Sequence, residues 1–248
     1  MGVRGAPLIH LEACGSTNAE AMARALAGAE LPFWVWADQQ SAGKGRSGRV
    51  WMSAEGNLAI SLAFRLTCEP ATAAQLSLVA GVAVREALCS IAPELAARLR
   101  LKWPNDILLE GAKLGGILVE TASGGPGGGL MAVIGIGVNL AAAPSIEGRD
   151  VTALSDVGHH TSVESLVSAL REAMDSALVL WEEGAGFCAV RARWLDGGLA
   201  AGTRLRVHAG AELAEGAFAG LDEDGALLLE IPGEGRKRFT FGDVMLAT

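Results

Sequence analysis

The sequence predicts an α+β protein: a mixed central β-sheet flanked by helices, followed by a small β-barrel. Three observations predict it. Over roughly the first 198 residues, apolar strand-like runs are interleaved with segments of helical period. Near Gly198-Leu-Ala-Ala-Gly202 the pattern changes to short β-like runs separated by turn residues. The chain has 248 residues, 50% of them hydrophobic and 19% charged, enough to bury a sizeable core and to exclude global disorder.

Taken in order, residues 8–13 read as a short strand. Thr17-Asn-Ala-Glu20 has capping-box spacing and opens an Ala-rich helix to about residue 27. The apolar, aromatic run 33–37 predicts a buried strand, and 57–66 another. A long helix begins at Pro70, with Leu76, Val79, Ala80, Ala83 and Leu88 near helical spacing. Residues 99–103 and 106–109 flank a turn that contains Pro104. Glu110-Gly111 predicts a hairpin turn into a strand over 114–121. The Gly-rich stretch 123–129 reads as a flexible turn, and 130–138 as an apolar strand. Residues 141–160 carry few periodic signals and form a long connection, followed by helices over 162–181 and 187–195. Beyond the change in pattern, 203–208, 215–221, 226–231 and 238–241 are strands, with turn signals at Asp222-Glu-Asp-Gly225 and Pro232-Gly233; a barrel of about 50 residues fits.

The net charge of −8 argues against a dedicated nucleic-acid binder. Cys14, Cys68, Cys89 and Cys188 are widely spaced without a C-x-x-C pair, which reads as buried free thiols in a reducing cytosol. His159-His160 has no further ligand at metal spacing, so a structural metal is not expected. No charged-then-apolar segment opens the chain, and no run reaches the roughly 18 apolar residues that span a bilayer. The expected location is the cytoplasm.

Against this acidic background, the loop Gln40-Ser-Ala-Gly-Lys-Gly-Arg-Ser-Gly-Arg-Val-Trp51 carries Lys44, Arg46 and Arg49 and no acid. Gly43, Gly45 and Gly48 lie between the cations, and glycine lets a backbone approach a ligand closely. Successive amides in such turns form anion-binding nests. The pattern suits a small anion; a solvated surface loop explains it as well when it is taken alone. It is not a P-loop, because Lys44 is followed by Gly45 rather than Ser or Thr.

Four further segments carry chemistry. Ser16-Thr17-Asn18 stands at a helix start, where capping competes with ligand binding. Lys102-Trp-Pro-Asn-Asp106 is a stiffened turn after a strand. Lys113-Leu-Gly-Gly-Ile-Leu-Val-Glu120 places a lysine beside glycines at a strand start. Gly135-Ile-Gly-Val-Asn139 ends a strand and fails as a dinucleotide fingerprint, since the third glycine is missing.

Together and in this order the five segments resemble the biotin–protein ligase family. Its members carry Ser-Thr-Asn, a loop of type Gly-Arg-Gly-Arg-x-Gly-Arg-x-Trp, Lys-Trp-Pro-Asn-Asp, Lys-x-Gly-Gly-Ile-Leu-x-Glu and Gly-Ile-Gly-x-Asn. The resemblance covers essentially the whole chain. Lys44 departs from the arginine usual in that loop, keeping the charge but not the planar fork. The resemblance implies a class II synthetase-like (biotin–lipoate ligase) catalytic domain over 1–198 and an SH3-like β-barrel over 199–248. Some members carry an N-terminal helix-turn-helix that represses transcription; here Ser-Thr-Asn begins at residue 16, and a ligase without repressor function is expected.

The implied reaction activates biotin with ATP as biotinyl-5′-AMP, with Mg²⁺ on the phosphates, and passes the biotinyl group to a lysine of a biotin carboxyl carrier protein. Arg46 and Lys113 are the expected catalytic cations. Biotin contacts are expected from Ser16, Thr17, Asn18, Gln40, Gly43, Lys44, Gly45, Gly116 and Leu118 as well. Adenylate contacts are expected from Arg49, Trp51, Asn57, Asn105, Asp106 and Asn139, with Asp106 at the Mg²⁺. The partner is the carrier domain, with no nucleic acid or membrane, and the enzyme is a monomer or homodimer. Two rivals stay open: a lipoate–protein ligase, and a nucleic-acid-binding module suggested by the cationic loop and barrel.

Overall fold

The structure is a computed structural model that describes residues 2–124 and 128–247. The expected flexible turn at 123–129 falls partly outside the described residues. Strands β1 (Leu8–Cys14), β2 (Phe33–Gln40), β3 (Leu58–Leu66), β4 (Leu99–Lys102), β5 (Asp106–Leu109), β6 (Ala112–Ser123) and β7 (Leu130–Val138) form one seven-stranded sheet in the order β1-β2-β3-β7-β6-β5-β4. Only β1 and β2 run parallel; every other pair is antiparallel. The sheet is therefore mixed, as expected.

The two faces of the sheet are covered unequally, and the pleat explains how. Side chains alternate along a strand. Trp34, Trp36, Ile60, Leu62, Ala132 and Ile134 face the main core. There they meet α2 (Leu76–Ile91) and α3 (Val163–Trp181), with α4 (Phe187–Gly197) packed on α2. Phe33, Val35, Ala63, Met131 and Val133 point the other way, onto Ala21 and Ala25 of α1 (Thr17–Leu26). This second cluster is small, because α1 lies mainly over β2, β3 and β7. The rest of that face is left for the cavity described below.

Several expectations need correction. The four cysteines are free but not buried: Cys14, Cys68 and Cys89 are partly exposed and Cys188 is exposed. The capping box does not form: Ser16 is the N-cap without a side-chain bond, and Glu20 pairs instead with Arg24 one turn on. The helix expected from Pro70 begins as a 3₁₀ turn, Thr72–Gln75, before α2. Together Thr72–Ile91 is long and apolar enough to cross a membrane by length and composition, contrary to the expectation from the sequence. Leu76, Val79, Ala80, Ala83 and Leu88 are all buried, so its apolar character is that of a core helix.

The C-terminal part is a five-stranded antiparallel barrel-like sheet, β11-β10-β9-β8-β12. Its strands are β8 (Arg204–Ala209), β9 (Glu212–Leu221), β10 (Leu227–Ile231), β11 (Gly235–Phe239) and β12 (Asp243–Leu246). The strand expected at 238–241 is β11, shifted toward the N-terminus, and β12 was not expected at all. Leu205, Val207, Phe218 and Leu229 join the main core, where Phe218 meets Trp194 edge-on at 6.5 Å. Trp103 Nε1 donates to Gly225 O at 3.0 Å, tying the β4–β5 turn to the barrel.

Ile60, near the start of β3, is fully buried in the main core that α2 also joins. Ile60→Ala should cost about 2–5 kcal/mol of stability through lost transfer energy and a residual cavity. Urea denaturation checks this; a shift under about 1 kcal/mol would show that the α2 layer collapses onto the gap.

Candidate active site

One cavity of about 580 Å³ opens on the sparsely covered sheet face. Its floor is built from absent side chains. Gly135 and Gly137 alternate onto this face of β7, and Gly116 and Leu118 onto the same face of β6. Across the strands, Ser61, Gly135 and Leu118 form one row, and Ala59, Gly137 and Gly116 form the next. A Cβ on Gly135 would lie 2.2 Å from Asn18 Oδ1, and one on Gly137 would lie 2.3 Å from Trp51 Cε2. The first row thus seats the Asn18 amide and the second the Trp51 indole. The Gly-x-Gly spacing is a period-two clearing on a strand, which is why it fails as a nucleotide fingerprint.

At one end, the start of α1 gathers neutral polar groups. Thr17 donates to Gln40 Oε1 from its backbone N–H at 2.8 Å, with its hydroxyl 3.2 Å away. Asn18 Nδ2 donates to Leu118 O at 3.2 Å and to Glu120 Oε2 at 2.7 Å. Ser61 Oγ lies beneath, 2.8 Å from Thr17 Oγ1 and 2.7 Å from Asn18 Oδ1. Ser16, Thr17 and Asn18 are all buried.

Cations gather at the other end. Asp106 pairs through Oδ2 with Lys102 Nζ at 2.8 Å and through Oδ1 with Lys113 Nζ. Burial pushes the Asp106 carboxyl up, but the two lysines outweigh it and hold it below the usual carboxylate range. Burial lowers the Lys113 ammonium, and Asp106 opposes that only in part. Lys113 also stands over Trp51, 5.8 Å from the ring centroid. Its main chain pairs with the long connection, N–H to Asp150 O at 2.8 Å, and Thr152 N–H to its own carbonyl at 3.0 Å.

The barrel closes the wall. Arg46 donates to Asn105 Oδ1 at 3.1 Å and to Gly242 O at 3.2 Å. Arg49 pairs with Asp243 at 2.6 Å, and Lys102 Nζ donates to Val244 O at 2.6 Å. Within the cationic loop, Lys44 and Val50 form a β-bridge. A segment with no role at the level of sequence thus supplies three anchors.

The structure brings most expected residues to this cavity. Ser16, Thr17, Asn18 and Gln40 line the polar end; Lys44, Gly45, Arg46 and Arg49 line the loop side. Trp51, Gly116, Leu118 and Asn139 line the floor and its edge; Asn105, Asp106 and Lys113 line the cationic end. Gly43 and Asn57 are not among the lining residues. Gly43 packs under the Trp51 carbonyl, where a Cβ would lie 2.3 Å from that oxygen. Asn57 is buried, and its Oδ1 accepts from the N–H groups of Leu140, Ala141 and Ala142 at 3.0, 2.9 and 3.2 Å. It shapes the turn after β7. Lys102 was missed, although it heads a recognised motif; its place beside Asp106 depends on the β4–β5 hairpin register. Ser61 and β12 carried no signal of their own.

A protein-held Mg²⁺ at Asp106 does not fit these surroundings. Both carboxylate oxygens are taken by lysines, and the described residues contain no group of three His, Cys, Asp or Glu side chains able to hold a metal.

Gly137→Ala should keep the fold and expel the Trp51 indole from the floor, since the new methyl occupies its place. The Trp51 indole N–H resonance, assigned with Trp51→Phe, should move by far more than those of Trp34 or Trp181. An unmoved Trp51 resonance would contradict the seating described here.

Comparison with known proteins fits this architecture. Residues 16–139 match the Biotin/lipoate A/B protein ligase family, and 203–246 match the Biotin protein ligase C terminal domain. A biotin--[acetyl-CoA-carboxylase] ligase of Paracoccus denitrificans is 40% identical over 226 residues, covering 88% of this chain and 91% of that protein. One from Mycobacterium tuberculosis is 36% identical over 229 residues, covering 88% and 81%. The solved biotin protein ligase from Aquifex aeolicus in complex with biotin and ATP superposes with a TM-score of 0.82 at 25% identity, covering 97% of this chain and 99% of that one. With the family matched across both sheets and the cavity built from its motifs, the chain belongs to the biotin/lipoate A/B protein ligase family and is a biotin–protein ligase.

Proposed function

We propose that the enzyme condenses biotin with ATP to biotinyl-5′-AMP and transfers the biotinyl group to a lysine of the biotin carboxyl carrier domain of acetyl-CoA carboxylase, in the cytoplasm. Residues 1–198 form the catalytic domain in this reading, and 199–248 the barrel domain. Nucleic acid has no place in it: the net charge is −8, and Arg46, Arg49, Lys102 and Lys113 are paired with the protein's own acids and with amide and backbone carbonyls. The observation that carries the reading is the polarity of one cavity, with uncharged donors and acceptors at the α1 end and Arg46, Arg49, Lys102 and Lys113 at the other. Biotin has the same polarity, a ureido ring at one end and a carboxylate at the other.

The chemistry follows from the charges. A biotin carboxylate oxygen attacks the α-phosphorus, and the bond to pyrophosphate breaks. Two anions must be held together, which fixed cations in a partly desolvated site do best. Lys102 and Lys113 suit the carboxylate and α-phosphate, with Asp106 orienting both ammonium groups. Arg46 and Arg49 suit phosphate by their forks. Mg²⁺ enters on ATP as part of the substrate and neutralises phosphate oxygens. In the second step an acceptor lysine, as the free amine, attacks the acyl carbon; AMP leaves, and the amine loses a proton. The cationic loop shields the mixed anhydride from water meanwhile. In the structure the loop is already held by Gly242 and Asp243, so ligand entry exchanges partners within it.

Incubation with ATP, Mg²⁺ and biotin should yield biotinyl-AMP by mass spectrometry, and none with lipoate in place of biotin. Product from lipoate alone would replace the reading. Lys113→Gln should slow adenylate formation far more than transfer from preformed biotinyl-AMP, since only the first step joins two anions. Normal single-turnover adenylation in that variant would remove the catalytic role.

Arg46→Ala should leave the fold intact and let biotinyl-AMP dissociate faster, by a loss of about 1.5–3 kcal/mol for one charge-assisted contact. Unchanged adenylate dissociation would assign Arg46 to the barrel contact only.

A further inference from the structure

We propose that Ser61, buried on β3 beneath the cavity, is a positioning residue that sets the Thr17 hydroxyl as a hydrogen-bond acceptor and thereby selects ligands bearing ring N–H donors. The inference rests on the biotin reading and refines it. Ser61 is fully buried and does not line the cavity.

The argument is one of counting hydrogens. Ser61 Oγ is within hydrogen-bond distance of both Thr17 Oγ1 and Asn18 Oδ1, and it carries one hydrogen. The orientation of the Asn18 amide is settled by its other end, where Nδ2 faces the acceptors Leu118 O and Glu120 Oε2. Asn18 Oδ1 is therefore an acceptor only, and it needs the Ser61 hydrogen. If Ser61 gave that hydrogen to Thr17, a buried amide oxygen would lose its donor. The two contacts at Ser61 are both satisfied only when Thr17 O–H donates to Ser61 and Ser61 O–H donates to Asn18 Oδ1. Gln40 Oε1 loses little by this, because the Thr17 backbone N–H already supplies it at 2.8 Å while the hydroxyl is 3.2 Å away.

The Thr17 oxygen then faces the cavity with lone pairs and no hydrogen to give. A cyclic urea offers it an N–H. A dithiolane ring such as that of lipoate offers none. The glycine floor makes the relay possible: Ser61, Gly135 and Leu118 share one cross-strand row, and only without a Cβ at Gly135 can the Asn18 amide lie across it.

The test is a cycle on the whole enzyme, read by calorimetric biotin affinity and by steady-state kinetics. Ser61→Ala should weaken biotin about tenfold, the effect of one hydrogen bond, and raise the KM for biotin while the KM for ATP and kcat stay put. Thr17→Val should weaken biotin by itself, and adding Ser61→Ala to it should cost clearly less than Ser61→Ala costs alone, the remainder being the donor lost to Asn18 Oδ1. Ser61→Cys puts a slightly larger group with a feeble donor at the same place and should fall between Ser and Ala; it also serves should Ser61→Ala fail to fold. Unchanged biotin affinity in Ser61→Ala or Ser61→Cys, equal losses for ATP and biotin, or additive losses in the double variant would each overturn the proposal. A wild-type enzyme that binds no biotin would instead overturn the biotin reading itself.

Discussion

The site depends on a strip of sheet that carries no side chains. Gly116, Gly135 and Gly137 lie on one face of β6 and β7, and each is tight against something from elsewhere: Lys113 and Trp51, the Asn18 amide, the Trp51 indole. A β-sheet face is ordinarily closed by its own side chains. Removing them at three positions lets the start of α1 and the end of the cationic loop descend onto the backbone. The polar cluster, the indole and the cavity between them follow from that clearance. Glycine in a strand weakens it, and the flanking Ile117, Met131, Val133 and Ile134 offset this by their buried apolar side chains.

The cationic half obeys a second constraint. A buried charge without a partner is costly, so each of these cations is already matched. Asp106 serves Lys102 and Lys113 together; Asp243 serves Arg49; the Asn105 amide and a barrel carbonyl serve Arg46. The arriving anion therefore competes with fixed protein partners. Its gain is the difference between two sets of contacts, which favours a polyanion that engages several cations at once over a single carboxylate or phosphate.

How much of this was legible in the sequence depends on the range of the interaction. Motifs that are contiguous in the chain were visible: the cationic loop, Lys102-Trp-Pro-Asn-Asp106, and the glycines of β6 and β7. So were long elements with a clear period, such as β7 and α3. Roles set by register were not. Gly135 and Gly137 become a floor only once β7 is paired with β3 and β6. Lys102 gains its role only when the β4–β5 hairpin sets it beside Asp106. Asn57 carries a motif-like asparagine, yet three backbone amides claim its oxygen. Thr17 and Glu20 have capping spacing, but Gln40 and Ser61 take the Thr17 side chain and Arg24, one turn on, takes Glu20. β12 escaped because four residues with exposed Met245 and Leu246 show no alternation.

The wall that β12 supplies has a consequence for how the enzyme is made. Arg46 and Gly242, which meet in the folded protein, are 196 residues apart in the chain. At a translation rate of about 5–20 residues per second, the ribosome delivers the second roughly 10–40 s after the first. All five motifs emerge well before Asp243, and the seven-stranded sheet has every strand by Val138. A nascent chain at that stage contains the residues of the floor and the polar cluster and Arg46, Arg49, Lys102 and Lys113, but Arg46, Arg49 and Lys102 have no barrel to anchor them. Translation that stops just short of β12 leaves every recognisable motif in place around a cavity open on one side.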